Sequence, residues 1–130
     1  MGNTLKQDIR LASEWVAGAL NSSGYKADYS LESMKEIDRF FDEQSAETGL
    51  ISQNRGSILF SLGAYVGETA IGLYGGEWVT DDDDPQGEIK IAVQLENGII
   101  MWPVIRCMKR YDHGQEESIY AYLLVLSDKN

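Results

Sequence analysis

The segment from Ser57 to Trp78, SILFSLGAYVGETAIGLYGGEW, limits most strongly what this chain can fold into. It is apolar and rich in glycine, and Glu68 is its only charge before the closing Gly-Gly-Glu-Trp. The pattern predicts a helix from Gln53 to Tyr74, with Ser52 as its cap and the glycine pair at 75–76 as its end. A helix that is apolar all round is buried, so we expect it at the centre of the fold.

The same segment approaches the length of a membrane span. A carboxylate near its middle and several glycines favour burial within protein over lipid, and we expect no membrane span. These residues are Gly63, Gly67, Glu68 and Gly72.

Glu68 is the residue of this segment whose surroundings the sequence constrains most. An ionised carboxylate buried without partners is costly, so the sequence predicts a cage of backbone N–H groups or a cation around it. The candidate cations are Arg55, Lys90 and Arg106. On this interpretation, Glu68→Gln lowers stability because it breaks the cage.

Four small residues, Gly56, Gly63, Gly67 and Ala70, fall on one stripe of the predicted helix because their spacings return to nearly the same angle. Each glycine inside a helix costs about 0.5 to 1 kcal/mol relative to alanine. The stripe therefore predicts close approach of another backbone.

Two helices precede this segment. Thr4 and Gln7 form a capping box that starts a helix over Leu5 to Leu20. Leu11 and Trp15 lie beside its apolar stripe and widen the apolar face, so we expect this helix to pack on the core. Ser30 caps a second helix that ends at Thr48-Gly49. Its inward stripe is Leu31, Met34, Ile37 and Phe41, and its charged residues, Asp38 among them, are expected to face water.

After Trp78 the apolar period changes to two, which predicts a strand over Ile89 to Leu95. Asn97-Gly98 is typical of a type I′ hairpin, whose register pairs Leu95 with Ile100 and Val93 with Trp102 and turns Trp102 toward the core. A strand over Glu77 to Thr80 completes a three-stranded antiparallel meander.

Pro103 suits the first turn of a short helix over Val104 to Tyr111, with an edge strand as the alternative. The segment from Glu116 to Leu126 favours a helix by its length. The predicted fold is a single α+β domain over residues 1–130, in which N-terminal helices and a central glycine-rich helix pack on the meander, followed by a short C-terminal helix or strand.

The charge balance excludes some partners. Eleven basic and 21 acidic residues give a net charge of −10, which repels nucleic acid and favours a basic protein as partner. One cysteine, Cys107, excludes an intramolecular disulfide, and the N-terminus has no signal-peptide pattern, so we expect a cytoplasmic protein.

Sequence motifs for metal binding or catalysis are weak in this chain. The run Asp81 to Asp84 lacks the spacing of a helix-loop-helix calcium site and has Pro85 where that loop needs glycine. His113 is the only histidine, which removes multi-histidine metal motifs. We predict no catalytic residue, no metal and no cofactor.

The alternative to a purely structural motif is a small-ligand pocket. In that hypothesis the aromatic rings stack on a ligand and the carboxylate orients it, although the same side chains serve a core equally well. The candidate ligand-binding residues are Tyr65, Glu68, Trp78 and Trp102.

Three stretches resemble one family: DYSLESMKEIDRFFDE at 28–43, LGAYVGETAIGLYGGEW at 62–78, and the strand, Asn-Gly turn and Trp102-Pro103 sequence that follows. The family consists of small bacterial cytoplasmic proteins or domains of unknown function. The resemblance covers residues 28 to 111, and its most specific element is Gly-x-Tyr-x-Gly-Glu followed by Gly-x-Trp: Gly63, Tyr65, Gly67, Glu68, Gly76 and Trp78. It implies a shared α+β fold and brings no activity.

The function expected from the sequence is non-catalytic protein–protein interaction of an immunity or adaptor type, with the acidic surface facing a basic partner. The alternative is a small-ligand binder or enzyme whose pocket lies around Glu68, Trp78 and Trp102.

Overall fold

A computed structural model describes residues 2–127 of the chain. Within this range six α-helices and one three-stranded antiparallel sheet form an α+β fold, as the sequence predicts. The elements follow in the order α1 (Leu5–Ser22), α2 (Ser33–Gln44), α3 (Leu50–Gln53), α4 (Arg55–Tyr74), β1 (Gly76–Val79), β2 (Ala92–Leu95), β3 (Ile100–Met101), α5 (Pro103–His113), a 3₁₀ turn (Gly114–Glu117) and α6 (Ile119–Ser127).

The glycine-rich helix α4 lies at the centre and contacts α1, α5, β1 and β2. Its length and a mean hydropathy of 1.2 meet the criteria for a membrane span, and 56% of that window is buried inside the protein. Core helices of soluble proteins meet the same criteria, so length and composition alone do not separate the two.

The small-residue stripe of α4 has two close neighbours. A Cβ on Gly63 would lie 2.9 Å from the backbone N and Cα of Val104, which confirms the predicted backbone approach at that position. At Gly67 the neighbour is instead the indole ring of Trp78, which a Cβ would overlap. A Cβ on Gly56 would have nothing within 4 Å, so only part of the predicted small-residue stripe is in close contact with another segment.

The first helix follows its capping prediction closely. Thr4 Oγ1 accepts a hydrogen bond from Gln7 N at 3.2 Å, and Thr4 N donates to Gln7 Oε1 at 2.8 Å. The prediction that this helix packs on the core is confirmed, since α1 contacts α4 and buries Ile9, Val16 and Leu20. Leu11 and Trp15 do not widen the packed face as predicted, because both are about half exposed.

Helix α2 is shorter than predicted at both ends. It begins at Ser33, where Ser30 Oγ accepts from Ser33 N at 3.1 Å, and it ends at Gln44 instead of Thr48. A Cβ on Gly49 would overlap the carbonyl of Gln44, because the chain folds back over the end of α2 there.

The third predicted helix is two helices that meet at Asn54, whose φ of −141° and ψ of 49° break the helical path. Ser52 does not cap it. The Ser52 hydroxyl lies 2.6 Å from the Tyr111 hydroxyl and donates to Ser45 O at 3.1 Å, so it joins the chain before α4 to α5.

The meander is confirmed, with the order β1-β2-β3, but its predicted register was wrong by one residue. Leu95 N donates to Ile99 O at 2.8 Å, and Val93 pairs with Met101. The turn is a three-residue loop with Gly98 at a φ of +90°, instead of a two-residue type I′ turn. Met101 is therefore buried and Trp102 points outward.

The predicted strand before this turn is shorter than expected. Ile89 lies in a turn and is exposed, whereas Ile91, Val93 and Leu95 are buried. After the sheet, Pro103 occupies the first turn of α5, and the segment after it ends in α6, so both C-terminal segments are helical.

The buried charge of the described residues is Arg110, whose side chain is 3% exposed, and not Glu68. Arg110 Nε donates to Asp38 Oδ1 at 2.9 Å, and its Nη2 donates to Asp42 Oδ1 at 2.6 Å. Burial alone would lower the pKa of Arg110, but the bonds to Asp42 and Asp38 outweigh it, so the pKa is raised. The prediction that Asp38 faces water was therefore wrong.

Candidate protein-binding face

Tyr65 lies in the interior of the protein. Its hydroxyl lies 2.8 Å from Ser33 Oγ and accepts from Tyr29 N at 2.9 Å, while its ring packs against the Tyr29 ring at 4.6 Å between centroids. Burial raises the pKa of Tyr65. Because its ring is fully buried and its hydroxyl is bonded, Tyr65 fixes the chain before α2 against α4 and does not line an open pocket.

Gly67, Glu68 and Trp78 form one contact between α4 and β1, here called the helix–sheet clasp. The Trp78 ring lies over Gly67, and Trp78 Nε1 donates to Glu68 Oε2 at 3.3 Å. The glycine pair after α4 supplies the turn that brings Trp78 back, with φ of +75° at Gly75 and +147° at Gly76.

The predicted cage around Glu68 was wrong. Glu68 is half-buried, and its bond to the Trp78 indole is the only hydrogen bond or ion pair of its carboxylate within residues 2–127. Two of the candidate cations bind elsewhere, Lys90 to Asp84 at 3.3 Å and Arg106 to Glu117 at 2.7 Å. A half-buried carboxylate keeps part of its hydration, so it does not need a counter-charge.

Trp102 lies on the other side of the sheet. It follows Met101 by one residue, and side chains alternate between the two faces, so Trp102 points away from α4. The structure therefore brings Glu68 and Trp78 together but places neither Tyr65 nor Trp102 with them. The pocket predicted from these four residues is not formed.

Trp102 shares its side of the sheet with an open groove of about 350 Å³. We call this side the outer face, and it consists of Val79, Ala92, Ile100 and Trp102. Trp102 is 47% exposed, and Val79 and Ile100 are exposed to a similar degree. Exposed apolar side chains that adjoin one another on a groove are typical of a binding surface.

The acidic loop between β1 and β2 forms the rim of this groove and is held in place by its own carboxylates. Asp81 Oδ1 accepts from Asp83 N at 3.0 Å, and Asp84 Oδ1 accepts from Gln86 N at 2.8 Å. The bond from Gln86 N, together with Lys90, lowers the pKa of Asp84. Asp82 Oδ1 accepts from Leu5 N at 2.8 Å and so anchors the loop to the start of α1.

Negative charge is concentrated around the sheet. Residues 76–98 contain seven acidic residues and one lysine, a local charge of −6 out of −10 for the whole chain. Within residues 2–127, no three His, Cys, Asp or Glu side chains lie close enough to hold a metal ion. Of the charged residues in 76–98, Asp81, Asp84 and Lys90 line the groove itself.

A second apolar groove and a buried thiol lie elsewhere in the described chain. The groove, about 260 Å³, lies between α1 and the start of α4 beside Trp15, which is 55% exposed. The thiol belongs to Cys107, which is fully buried, and burial raises its pKa, so this thiol has neither the access nor the ionised form that a nucleophile needs.

Searches with this sequence against protein-family models, curated proteins and solved structures found no match. The resemblance of residues 28 to 111 to a bacterial family therefore stays a prediction.

Proposed function

We propose that this protein binds a basic partner protein through its outer face, without catalysis, as an immunity or adaptor protein does. The observation that carries the proposal is that the groove beside the exposed Trp102 is bordered by an acidic loop, within a stretch of the chain, residues 76–98, whose net charge is −6.

Each part of the face has a role in this proposal. The aspartates of the rim attract a cationic partner and speed its approach. The Trp102 ring stacks on a lysine or arginine side chain, a contact worth about 0.5 to 2 kcal/mol. Val79 and Ile100 add apolar contact at the centre, where desolvation strengthens the binding.

The test uses a capped octapeptide of alternating lysine and valine as a probe, with the glutamate–valine peptide as the negative control. We expect the lysine peptide to bind and to weaken as NaCl rises from about 50 to about 500 mM, because salt screens exposed charges. Binding of both peptides with equal affinity would contradict the proposal.

Charge reversal then locates the site. Asp83 and Glu14 are both exposed, and neither side chain makes a hydrogen bond or ion pair within residues 2–127, but only Asp83 lies in the rim. Asp83→Lys and Glu14→Lys change the net charge equally. We expect the first to weaken binding several-fold more than the second, and equal effects would place the site elsewhere.

A further inference from the structure

β1 is an edge strand of the sheet. Glu96 N donates to Gly75 O, so by the alternation of an antiparallel ladder the backbone groups of Glu77 and Val79 also face β2. Those of Gly76 and Trp78 then face away from the sheet. Within residues 2–127 the backbone N–H and C=O groups of Gly76 and Trp78 have no hydrogen-bond partner.

Such an edge is a template for another strand. Proteins protect such edges with a proline, a bulge, a charged side chain or a very short strand, and residues 76–79 contain neither a proline nor a bulge. β1 carries one charged residue, Glu77, which is exposed, and it leads directly into Asp81 to Asp84. A strand added here would therefore lie in the most acidic part of the molecule.

The two sides of β1 differ in chemistry, which specifies the side chains of an added strand. On the outer side, Glu77 and Val79 are exposed, and Glu77 favours a basic neighbour. On the inner side, the half-buried Trp78 ring favours an apolar neighbour.

We infer that an extended segment of the partner, with basic and apolar residues in alternation, pairs antiparallel with β1 as a fourth strand. The inference rests on the proposed function and adds to it the conformation and sequence pattern of the bound segment. Backbone hydrogen bonds supply affinity in this mode, and alternate side chains supply specificity.

The test compares two N-methylated forms of the lysine–valine octapeptide, one methylated at the valines and the other at the lysines. They have the same charge and composition. In the antiparallel pairing, residues opposite Trp78 and Gly76 are the valines, so their N–H groups bond to β1. We expect valine methylation to weaken binding by about tenfold or more, and lysine methylation to have little effect.

Hydrogen exchange gives an independent measurement. The Trp78 amide is expected to exchange fast in the free protein and about tenfold or more slowly with bound peptide, whereas the Val79 amide, already in the ladder, changes little.

The possible outcomes separate the two proposals. Equal effects of the two methylations would overturn strand addition. The proposed function would still be supported in that case if the parent peptide bound in a salt-sensitive way. Absence of any binding by the parent peptide would overturn both. Selective loss on lysine methylation would overturn the antiparallel pairing and indicate a parallel strand.

Discussion

Gly67 is the residue on which the packing of the sheet against α4 depends most closely. The Trp78 ring occupies the space that a Cβ would take, so any larger residue displaces the indole from the clasp. Gly18 in α1 is the contrasting case, since a Cβ there has nothing within 4 Å.

Gly67→Ala is therefore expected to lower the free energy of unfolding by about 1 to 3 kcal/mol, because overpacking forces the ring to move. Gly18→Ala is expected to raise it by about 0.5 to 1 kcal/mol, because alanine is the better helix former and meets no obstacle. Urea denaturation of both variants checks the pair. Equal responses at the two positions would show that the Trp78 contact does not constrain Gly67.

Glu68 has a smaller role than its place in the sequence suggests. Its carboxylate accepts one hydrogen bond from Trp78 Nε1, and a glutamine oxygen can accept the same bond. We expect Glu68→Gln to change the free energy of unfolding by less than about 0.5 kcal/mol, because the half-buried side chain keeps its size and its hydrogen bond. A thermal unfolding midpoint lowered by many degrees would restore the idea of a caged charge.

At the scale of elements, Asp38 joins three helices. Besides Arg110 of α5, its carboxylate accepts from Ile119 N at 2.9 Å and from Tyr120 N at 3.1 Å, so a side chain of α2 caps the N-terminus of α6. A carboxylate at that position satisfies N–H groups that the helix itself leaves unbonded.

Asp38→Asn is expected to lower the free energy of unfolding by about 3 to 5 kcal/mol, because the buried Arg110 keeps only one carboxylate partner and an asparagine NH2 group cannot accept the bond from Tyr120 N. Asp42→Asn is the matched control. Asp42 also binds Arg110, but its side chain is more exposed, and we expect a loss of about 1 kcal/mol or less. Equilibrium denaturation measures both, and a larger loss for Asp42→Asn would contradict the assignment.

The elements also show where sequence reasoning succeeds and where it stops. The capping box at Thr4, the glycine end of α4 and the proline start of α5 are local signals, and each predicted an element boundary correctly. The hairpin register is not local in this sense. Asn97-Gly98 fits both a two-residue and a three-residue loop, and a slip of one residue exchanges the faces of Met101 and Trp102.

The sequence predicts Glu68 as the buried charge, whereas the structure buries Arg110, and the reason is again that the deciding contacts are not local. An apolar window around Glu68 predicts that its helix is buried but does not say which side of the helix meets water. The partners of Arg110 lie 68 and 72 residues away in sequence, and no periodicity within α5 indicates them. Pairing between residues far apart in sequence determines which charged side chain is buried, whereas local sequence patterns determine where the helices form.

At the scale of the whole molecule, the proposal depends on an uneven distribution of charge and apolar surface. The sheet region carries most of the net charge, and the exposed Trp102 and the edge strand β1 lie within it. The groove beside Trp15 lies on another part of the fold, between α1 and the start of α4. The three tryptophans thus report on three different places.

The indole N–H signals of Trp15, Trp78 and Trp102 in a ¹H–¹⁵N spectrum therefore test the central claim most directly. On titration with the lysine–valine octapeptide at low salt, the account predicts a progressive shift of the Trp102 indole signal, none at Trp15, and reversal of the shift when salt is raised. A shift at Trp15 with Trp102 unchanged, or a Trp102 shift that salt does not reverse, would contradict it.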